Sequence, residues 1–290
     1  MPARLTAYLP EGAAVETLLA PGCGLTVGRA PPCELILDHP SVSRSHARFE
    51  ADGETWRLVD LGSKNGSFID GLPAEGRAVG RNSWLRFGDV TCEMAEVDDQ
   101  AVARAGDRLA ARQTASVLHQ RAIEQSQAPA DLLKATLAAV VDLADCERGF
   151  LLINQPGGPV VRAWQGLDDR ALAAPAFDGS RGAVDRALRE RRPLVINDAG
   201  MDAAFAARAS VVAGGLRSLV CLPLVTGDEV LGLAYADSRV PGHAITTLDL
   251  DLLAAFAERA ALWLAARRSE LTLAEVARQA RWPGATGAAA

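Results

Sequence analysis

The residues best suited to chemistry form three short groups in the first third of the chain. Gly28-Arg29 comes first, Ser43-Arg44-Ser45-His46 follows, and Gly62-Ser63-Lys64-Asn65-Gly66 is the last. Arginine presents a planar fork of donors that can hold two phosphate oxygens, and such charge-assisted bonds are about twice as strong as neutral ones. We therefore predict an anion-binding site, with Arg29 as its strongest candidate.

Other side chains in these groups would complete such a site. Ser43 adds a hydroxyl donor, and Arg44 and Lys64 add positive charge. A turn through Asn65-Gly66 would present its amide side chain to a bound peptide. Taken singly each group is commonplace, because Asn-Gly turns are frequent and an isolated histidine such as His46 is more often a buried structural residue.

Short strands must position these groups. From Leu5 to Val97 the chain consists of short apolar runs separated by turn signals such as Pro-Gly, Asp-Gly and Gly-Asp pairs, which predicts an all-β sandwich. Residues 45–50 and 55–61 flank an Asp-Gly turn, so they are predicted to pair as a hairpin.

The order and spacing of the three groups closely resemble the forkhead-associated (FHA) family. They lie within the sequences ELILDHPSVSRSHARF and WRLVDLGSKNGSFIDG, and the resemblance covers residues 5–97. It implies a β-sandwich that binds phosphothreonine peptides through loops at one end. It also implies that Arg29 and Ser43 contact the phosphate and that Arg44 lies where many members have another phosphate contact.

The resemblance assigns roles to the other candidates as well. Asn65 matches the asparagine that hydrogen-bonds the main chain of the peptide, while His46 holds the binding loop from behind, and Gly28 and Gly66 support the site structurally. Lys64 replaces a residue that is threonine or serine in many members, so the preferred residues flanking the phosphothreonine stay open.

A helix is predicted to follow the sandwich. Between Gln100 and Gln127 small apolar residues recur at helical spacing, with an interruption near Gly106. The apolar stripe is too thin to be stable alone. It therefore packs either against a second copy, in a parallel dimer, or against the C-terminal domain.

After Pro129 the predicted elements alternate between helix and strand, which indicates an α+β domain. Helices are predicted at 131–145, 182–191 and 246–267, and strands at 149–154, 193–197, 218–225 and 230–236. The segments DLLKATLAAVVDLADCERGFLLI, RGAVDRALRERRPLVINDA and SLVCLPLVTGDEVLGLAYADS resemble a bacterial GAF domain over residues 129–266.

The GAF resemblance implies a central antiparallel sheet with helices on one side, a ligand pocket on the other side in some members, and terminal helices that often dimerise. Neither a cyclic-nucleotide signature nor a bilin-attachment cysteine is recognisable, so the ligand, if any, is unknown. A small-molecule sensor and a dimerisation scaffold stay open as roles. The predicted organisation is multidomain: an FHA sandwich at 1–98, a helical linker at 99–128, a GAF domain at 129–267 and a helical or disordered tail at 268–290.

Composition excludes several classes of protein. The net charge of −6 and pI near 5.3 argue against a protein whose main task is neutralising nucleic-acid phosphates. The five cysteines are scattered without a CxxC pair, so we expect them to be small buried hydrophobic side chains in a reducing compartment. We expect no metal site and no cofactor. The N-terminus has no apolar segment typical of a secretory signal, and a cytoplasmic location follows as an expectation.

These observations predict a non-enzymatic adaptor. It would bind a phosphothreonine-containing protein, the product of a Ser/Thr kinase, and couple this binding to the GAF domain. A homodimer through the linker and GAF helices is an option. Neither nucleic acid nor a membrane is expected as a direct partner. One alternative is an input module for transcription. LTLAEVARQA near the C-terminus looks like the first helix of a helix-turn-helix, but WPGATGAAA after it leaves no room for a recognition helix. Another is an enzyme in the GAF pocket that depends on cysteine.

Overall fold

The computed structural model describes residues 2–10, 12–53, 55–126, 128–155, 157–168, 181–197, 217–240 and 244–279. The predicted multidomain architecture is confirmed: a β-sandwich leads through a long helix into an α+β domain. The strands of the sandwich are β1 (Ala3–Tyr8), β2 (Val15–Leu19), β3 (Leu25–Gly28), β4 (Leu35–Ile36), β5 (Ala47–Asp52), β6 (Thr55–Asp60), β7 (Ser67–Ile69), β8 (Leu72–Pro73), β9 (Arg77–Val79), β10 (Asn82–Phe87) and β11 (Val90–Glu96).

Two sheets form the sandwich, with strand orders β2-β1-β11-β10-β7-β8 and β4-β3-β5-β6-β9. In β10 buried residues alternate with exposed or half-buried ones, and the first four residues of β5 alternate between buried and exposed, as expected where one face of each sheet covers a core. Phe49 and Phe87 meet edge to face in that core, with ring centroids 6.3 Å apart. The predicted hairpin is present, because β5 and β6 pair from Ala47↔Asp60 to Asp52↔Thr55.

Helix α1 (Asp99–Glu124) joins the two domains and is followed by α2 (Pro129–Leu143). The predicted interruption at Gly106 is wrong, since α1 is continuous through it. A glycine costs a helix only about 1 kcal/mol relative to alanine, and the neighbouring alanines and arginines are good helix formers. Ile123 of α1 is buried in the core of the C-terminal domain, so α1 packs on that domain.

The C-terminal domain contains β12 (Arg148–Gln155), β13 (Gly158–Gln165), α3 (Arg181–Glu190), β14 (Leu194–Asn197), β15 (Ser218–Thr226), β16 (Glu229–Ser238) and α4 (Thr247–Gln279). Its sheet has the order β13-β12-β16-β15-β14, and every neighbouring pair is antiparallel, as predicted. Strand β13 was not predicted. It is an edge strand with exposed residues on both faces and a bulge opposite Leu151 and Leu152, so it lacks regular alternation.

Helix α4 is longer than the predicted 246–267 segment. No glycine or proline follows Arg267 until Pro283, so nothing ends the helix there, and LTLAEVARQ continues α4 to Gln279 instead of starting a separate helix. Residues 280–290 lie outside the described part of the chain.

Helices cover both faces of the second sheet. On one face α2 and α4 enclose a core that includes Val140, Leu222 and Phe256. On the other, α3 packs with Phe150 and Tyr235, whose rings stack with centroids 4.7 Å apart. Of the helices that the structure describes, none is long and apolar enough to cross a membrane.

The two domains touch directly, which the sequence did not predict. Residues 12–14, in the loop between β1 and β2, lie against the C-terminal domain: Gly12 N–H donates to the Val195 carbonyl (3.1 Å) and Ala14 N–H to the Ile245 carbonyl (2.9 Å). The Thr247 N–H donates to the Ala14 carbonyl (2.9 Å). Ala13 belongs to the core cluster of the C-terminal domain. A loop of the sandwich thus completes the neighbouring domain.

The five cysteines are all free thiols. Cys33, Cys92 and Cys221 are buried and Cys146 is half-buried, but Cys23 is exposed. The prediction of buried cysteines is therefore wrong for Cys23, which follows the Pro21-Gly22 turn on the surface and has no sheet face to cover it.

Candidate functional site

The structure brings the three predicted groups together at one end of the sandwich. Gly28 ends β3, the segment Ser43–His46 precedes β5, and residues 62–66 connect β6 to β7. Three bonds tie these loops to one another: Arg29 N–H to the Ser43 carbonyl (2.9 Å), Lys64 N–H to Ser43 Oγ (3.1 Å) and His46 Nε2 to the Gly66 carbonyl (3.1 Å).

Between the loops lies an open cavity of about 690 Å³. Three cationic side chains, Arg29, Arg44 and Lys64, line it, and all three residues are exposed. None of them makes an ion pair or a side-chain hydrogen bond within the described part of the chain. The cavity therefore concentrates positive charge on a protein whose net charge is −6, an arrangement that attracts an anion.

Gly28 lets the loops approach each other. A Cβ atom at this position would lie 2.1 Å from the Arg44 carbonyl oxygen and 2.6 Å from Cys33 Sγ. Only a residue without a side chain fits there. The neighbouring Arg29 is thereby held beside the Ser43–Arg44 backbone. This close approach explains why a glycine precedes the arginine.

His46 lies behind the cavity, fully buried against Phe87. Its Nδ1 accepts the Ser43 N–H (3.0 Å), which assigns the proton to Nε2, and Nε2 in turn donates to the Gly66 carbonyl (3.1 Å). The neutral ring thus links two of the three loops. This geometry fits the structural role that the family resemblance implies, and it leaves His46 out of contact with the cavity.

Burial lowers the pKa of His46 below its ordinary value of 6.5, although the bond to Gly66 and the nearby Asp60 act in the opposite direction. The folded protein therefore binds this proton more weakly than the unfolded chain. The resulting stability is complete above pH 6.5 and is lost as the pH falls towards the pKa of the folded state.

We expect the urea midpoint of the wild type to fall more between about pH 7 and about pH 5 than that of His46→Gln, because the variant has no imidazole to protonate. At neutral pH the variant should be less stable by about 1 kcal/mol, the contribution of a buried hydrogen bond. Equal pH dependence of the two proteins would show that His46 is not held neutral by the fold.

Ser43 lies in the wall of the cavity, whereas Asn65 is exposed on a neighbouring loop. Ser43 is half-buried in the cavity wall, and its Oγ already accepts the Lys64 N–H, so its hydroxyl hydrogen can point into the cavity. Asn65 Nδ2 donates to the Ser41 carbonyl (2.7 Å) and so ties its loop to the segment before Ser43. The exposed Asn65 has a side-chain oxygen that accepts no hydrogen bond from the described residues, which leaves it available to a peptide.

Asp60 supports the site in a way that we did not predict. Its Oδ1 accepts N–H bonds from Gly62 (2.9 Å) and Ser63 (2.7 Å), and its Oδ2 accepts the hydroxyls of Ser63 (2.7 Å) and Ser67 (2.5 Å). Partial burial raises its pKa, but these hydrogen bonds outweigh burial and leave the pKa below the ordinary value. The signal in the sequence was an aspartate two residues before a glycine, the pattern of an Asx turn.

The turn between β10 and β11 braces the loops from the side. Asp89 N–H donates to Ser41 Oγ (2.8 Å), and Gly88 N–H donates to the Gly66 carbonyl (3.2 Å). Ser41 also lines the cavity. The site therefore rests on four loops at the same end of the sandwich, one more than the sequence groups indicated.

The C-terminal domain shows no comparable constellation in its described ranges. No group of three histidine, cysteine, aspartate or glutamate residues that could hold a metal occurs among the residues described. Burial raises the pKa of Cys146 and of Cys221 well above the ordinary range. Both side chains are therefore protonated thiols, which are poor nucleophiles.

Comparison with known protein families agrees with this organisation. A model described as the FHA domain matches residues 25–90, and one described as the GAF domain matches residues 128–264. Both resemblances stated from the sequence are thereby confirmed.

Two curated relatives resemble the N-terminal domain. An oxoglutarate dehydrogenase inhibitor of Corynebacterium jeikeium is 30% identical over an alignment of 90 positions that covers 28% of this chain and 62% of that protein. The glycogen accumulation regulator GarA of Mycolicibacterium smegmatis is 32% identical over 63 residues, 22% of this chain and 40% of that protein. The chain thus spans less than two thirds of the length of either relative.

Solved structures of both domain types are similar to parts of the chain. The FHA domain of a Chlamydia trachomatis protein is 24% identical with a TM-score of 0.32, over 34% of this chain and 100% of the other. The GAF domain of a phosphoenolpyruvate-protein phosphotransferase from Coxiella burnetii is 15% identical with a TM-score of 0.44, over 56% of this chain and 96% of the other.

Proposed function

We propose that this chain, an FHA domain followed by a GAF domain, is a phosphothreonine-dependent signalling adaptor that catalyses no reaction itself. One observation carries the proposal: three cationic side chains without partners among the described residues surround the Ser43 hydroxyl in one open cavity. A phosphorylated side chain brings a charge of about −1.5 to −2 and three strong acceptor oxygens, which matches this set of donors.

Threonine is the preferred carrier of the phosphate in this proposal. Pro40 and Val42 add apolar surface to a cavity whose other lining residues are polar or charged. A threonine methyl beside the phosphate can pack on such surface, whereas a phosphoserine has no methyl to bury. Asn65 would then hold the main chain of the peptide through its free side-chain oxygen.

The partner in this proposal is a protein phosphorylated by a Ser/Thr kinase, and the cytoplasm is the compartment that fits. All five cysteines are free thiols, and a reducing compartment keeps cysteines in this form. The two curated relatives are named as an inhibitor of a dehydrogenase and as a regulator of glycogen accumulation, names that fit a protein acting through binding.

The position of the GAF domain supports coupling between the two halves. Strand β1 ends at Tyr8, opposite Thr91 of β11, so the loop that touches the GAF domain leaves the sandwich at the same end as the binding site. Only β11 lies between β1 and β10 in the sheet, which places the loop roughly 10 Å from the β10–β11 turn that braces Ser41. The loop that contacts the GAF domain thus leaves the sandwich at the same end as the loops that would hold the peptide.

Ala13→Asp tests whether the two domains form one unit. Ala13 is buried in the GAF core, and a carboxylate there would lose its hydration without gaining a partner, at a cost of about 2 kcal/mol or more. We expect the wild type to unfold in one calorimetric transition, and the variant to show a separate GAF transition at lower temperature.

Leu18→Asp is the matched control for that variant, because Leu18 lies on the adjoining strand β2 and is 47% exposed. It should keep the single transition and change stability by at most about 0.5 kcal/mol. Two independent transitions in the wild type itself would contradict coupling through this loop.

A homodimer is part of the same proposal. Several large apolar side chains are exposed on the two long helices, namely Val117 and Leu118 of α1 and Leu262, Leu273 and Val276 of α4. Covering them with a second copy would remove apolar area from water. Dimerisation would also increase the apparent affinity for a partner that carries two phosphothreonines.

Affinity capture from a cell lysate provides the functional test. Immobilised wild-type protein should retain phosphoproteins from a lysate prepared with phosphatase inhibitors and lose them after phosphatase treatment, whereas Arg29→Ala should retain few in either case. Retention of the same proteins before and after phosphatase treatment would contradict the proposal.

A further inference from the structure

A groove of about 380 Å³ runs across the GAF domain on the face of the sheet covered by α2 and α4. Five of its lining residues are aliphatic: Leu132 and Leu133 of α2, Ile153 of β12, Leu231 of β16 and Leu264 of α4. The others are Asn154 and Gln155 at the end of β12 and three arginines. Its size lies within the range of small-molecule sites. No aromatic ring is among its described lining residues, so the groove offers nothing on which a planar base could stack.

This groove is separate from the pocket that the family resemblance implies. That pocket lies on the face of the sheet away from the terminal helices, the face on which α3, Phe150 and Tyr235 pack here. Leu132 and Leu231 belong instead to the core cluster between the sheet and the terminal helices. A ligand in the groove would therefore contact α2 and α4 directly.

Three arginines stand around the aliphatic surface, and they differ in their partners. Arg267 bonds to Glu270 Oε2 (2.7 Å) and to the Ser126 carbonyl (3.2 Å), and Arg268 pairs with Glu229. Arg162, exposed on the edge strand β13, makes no hydrogen bond or ion pair within the described ranges. The groove thus has one guanidinium whose donors are free for a ligand.

We propose that the groove binds a long-chain carboxylate of the fatty-acid type. The aliphatic chain would lie along the leucines and Ile153, where it removes apolar surface from water. The carboxylate would accept the paired N–H groups of Arg162, whose planar fork matches two carboxylate oxygens. An aliphatic floor with a single free cation at its rim is complementary to a ligand with one anionic end.

Titration of the full chain with cis-parinaric acid, a fluorescent long-chain carboxylic acid, tests this assignment. We expect saturable binding to the wild type and an affinity roughly tenfold lower for Arg162→Gln, because one charge-assisted interaction is lost. Arg189→Gln is the matched control, since Arg189 is an exposed arginine on α3, at the opposite face of the sheet. Its affinity should equal that of the wild type.

Two further comparisons distinguish the contribution of the ligand's aliphatic tail to binding from that of its carboxylate. Ile153→Glu places a negative charge in the floor and should abolish binding, with circular dichroism confirming that the variant is folded. The alcohol of the same chain length should compete at least about tenfold less well than the acid. Equal competition by acid and alcohol, or unchanged affinity of Arg162→Gln, would overturn the role of Arg162.

Absence of saturable binding to the folded wild type would overturn the proposal as a whole. So would a dimer, seen by sedimentation, that Ile153→Glu dissociates while the acid has no effect, because the groove would then be an interface between copies. Neither outcome bears on the phosphopeptide site, which lies in the other domain and is measured with Arg29→Ala.

Discussion

Replacing Arg29 by alanine is expected to weaken phosphothreonine-peptide binding roughly a hundredfold, the equivalent of about two charge-assisted hydrogen bonds. The side chain lines the cavity, is exposed and has no partner among the described residues. Its loss should therefore remove phosphate donors without disturbing the fold. Isothermal calorimetry of wild type and variant with one phosphopeptide measures the difference.

Two variants sharpen that measurement. Arg48→Ala removes an exposed arginine from β5 that does not line the cavity, so it should leave the affinity unchanged. Arg29→Lys keeps the charge but not the planar fork, so its affinity should fall between those of the wild type and Arg29→Ala. If all three variants bound like the wild type, the cavity would not be the phosphate site.

Gly28→Ala should have a comparably large effect, through the backbone and not through charge. The new Cβ would lie 2.1 Å from the Arg44 carbonyl oxygen, so the loop that carries Ser43 and Arg44 would have to move. We expect a loss of stability of about 2 kcal/mol or more, together with loss of most phosphopeptide affinity. Urea unfolding and calorimetry on the same preparation report both quantities.

Gly106→Ala is the control for that substitution. Gly106 lies inside α1, and outside its own stretch of helix no described atom stands within 4 Å of the position of an added Cβ, so alanine should stabilise the protein by up to about 1 kcal/mol. Undiminished phosphopeptide affinity in Gly28→Ala would show that the contact between β3 and the Ser43 loop does not shape the site.

The sequence predicted the sandwich well because its strands and turns depend on local signals. Turn residues at short intervals define the strands, and the predicted hairpin is present as β5 and β6, which pair on either side of Gly53. The three groups with Arg29, Ser43 and Asn65 do converge at one end of the sandwich. Their convergence could be predicted only through the family resemblance, since spacing alone does not determine which loops meet.

Features that depend on tertiary packing were missed. Strand β13 belongs to the sheet through its pairing with β12, not through its own pattern. Helix α1 continues through Gly106 because the flanking residues favour helix. The contact of Ala13 with the GAF core joins residues more than two hundred positions apart, as in the bond from Ala14 to Ile245, and no periodicity within either segment indicates it.

Phosphothreonine-dependent binding is tested most directly by a fluorescence-anisotropy titration of the wild-type protein with matched peptide pools that carry phosphothreonine, phosphoserine or unmodified threonine. We expect saturable binding of the phosphothreonine pool, weaker binding of the phosphoserine pool, and no measurable binding of the unmodified pool. Equal binding of the phosphorylated and unmodified pools, or no binding of any pool to the folded protein, would contradict a phosphothreonine-dependent adaptor.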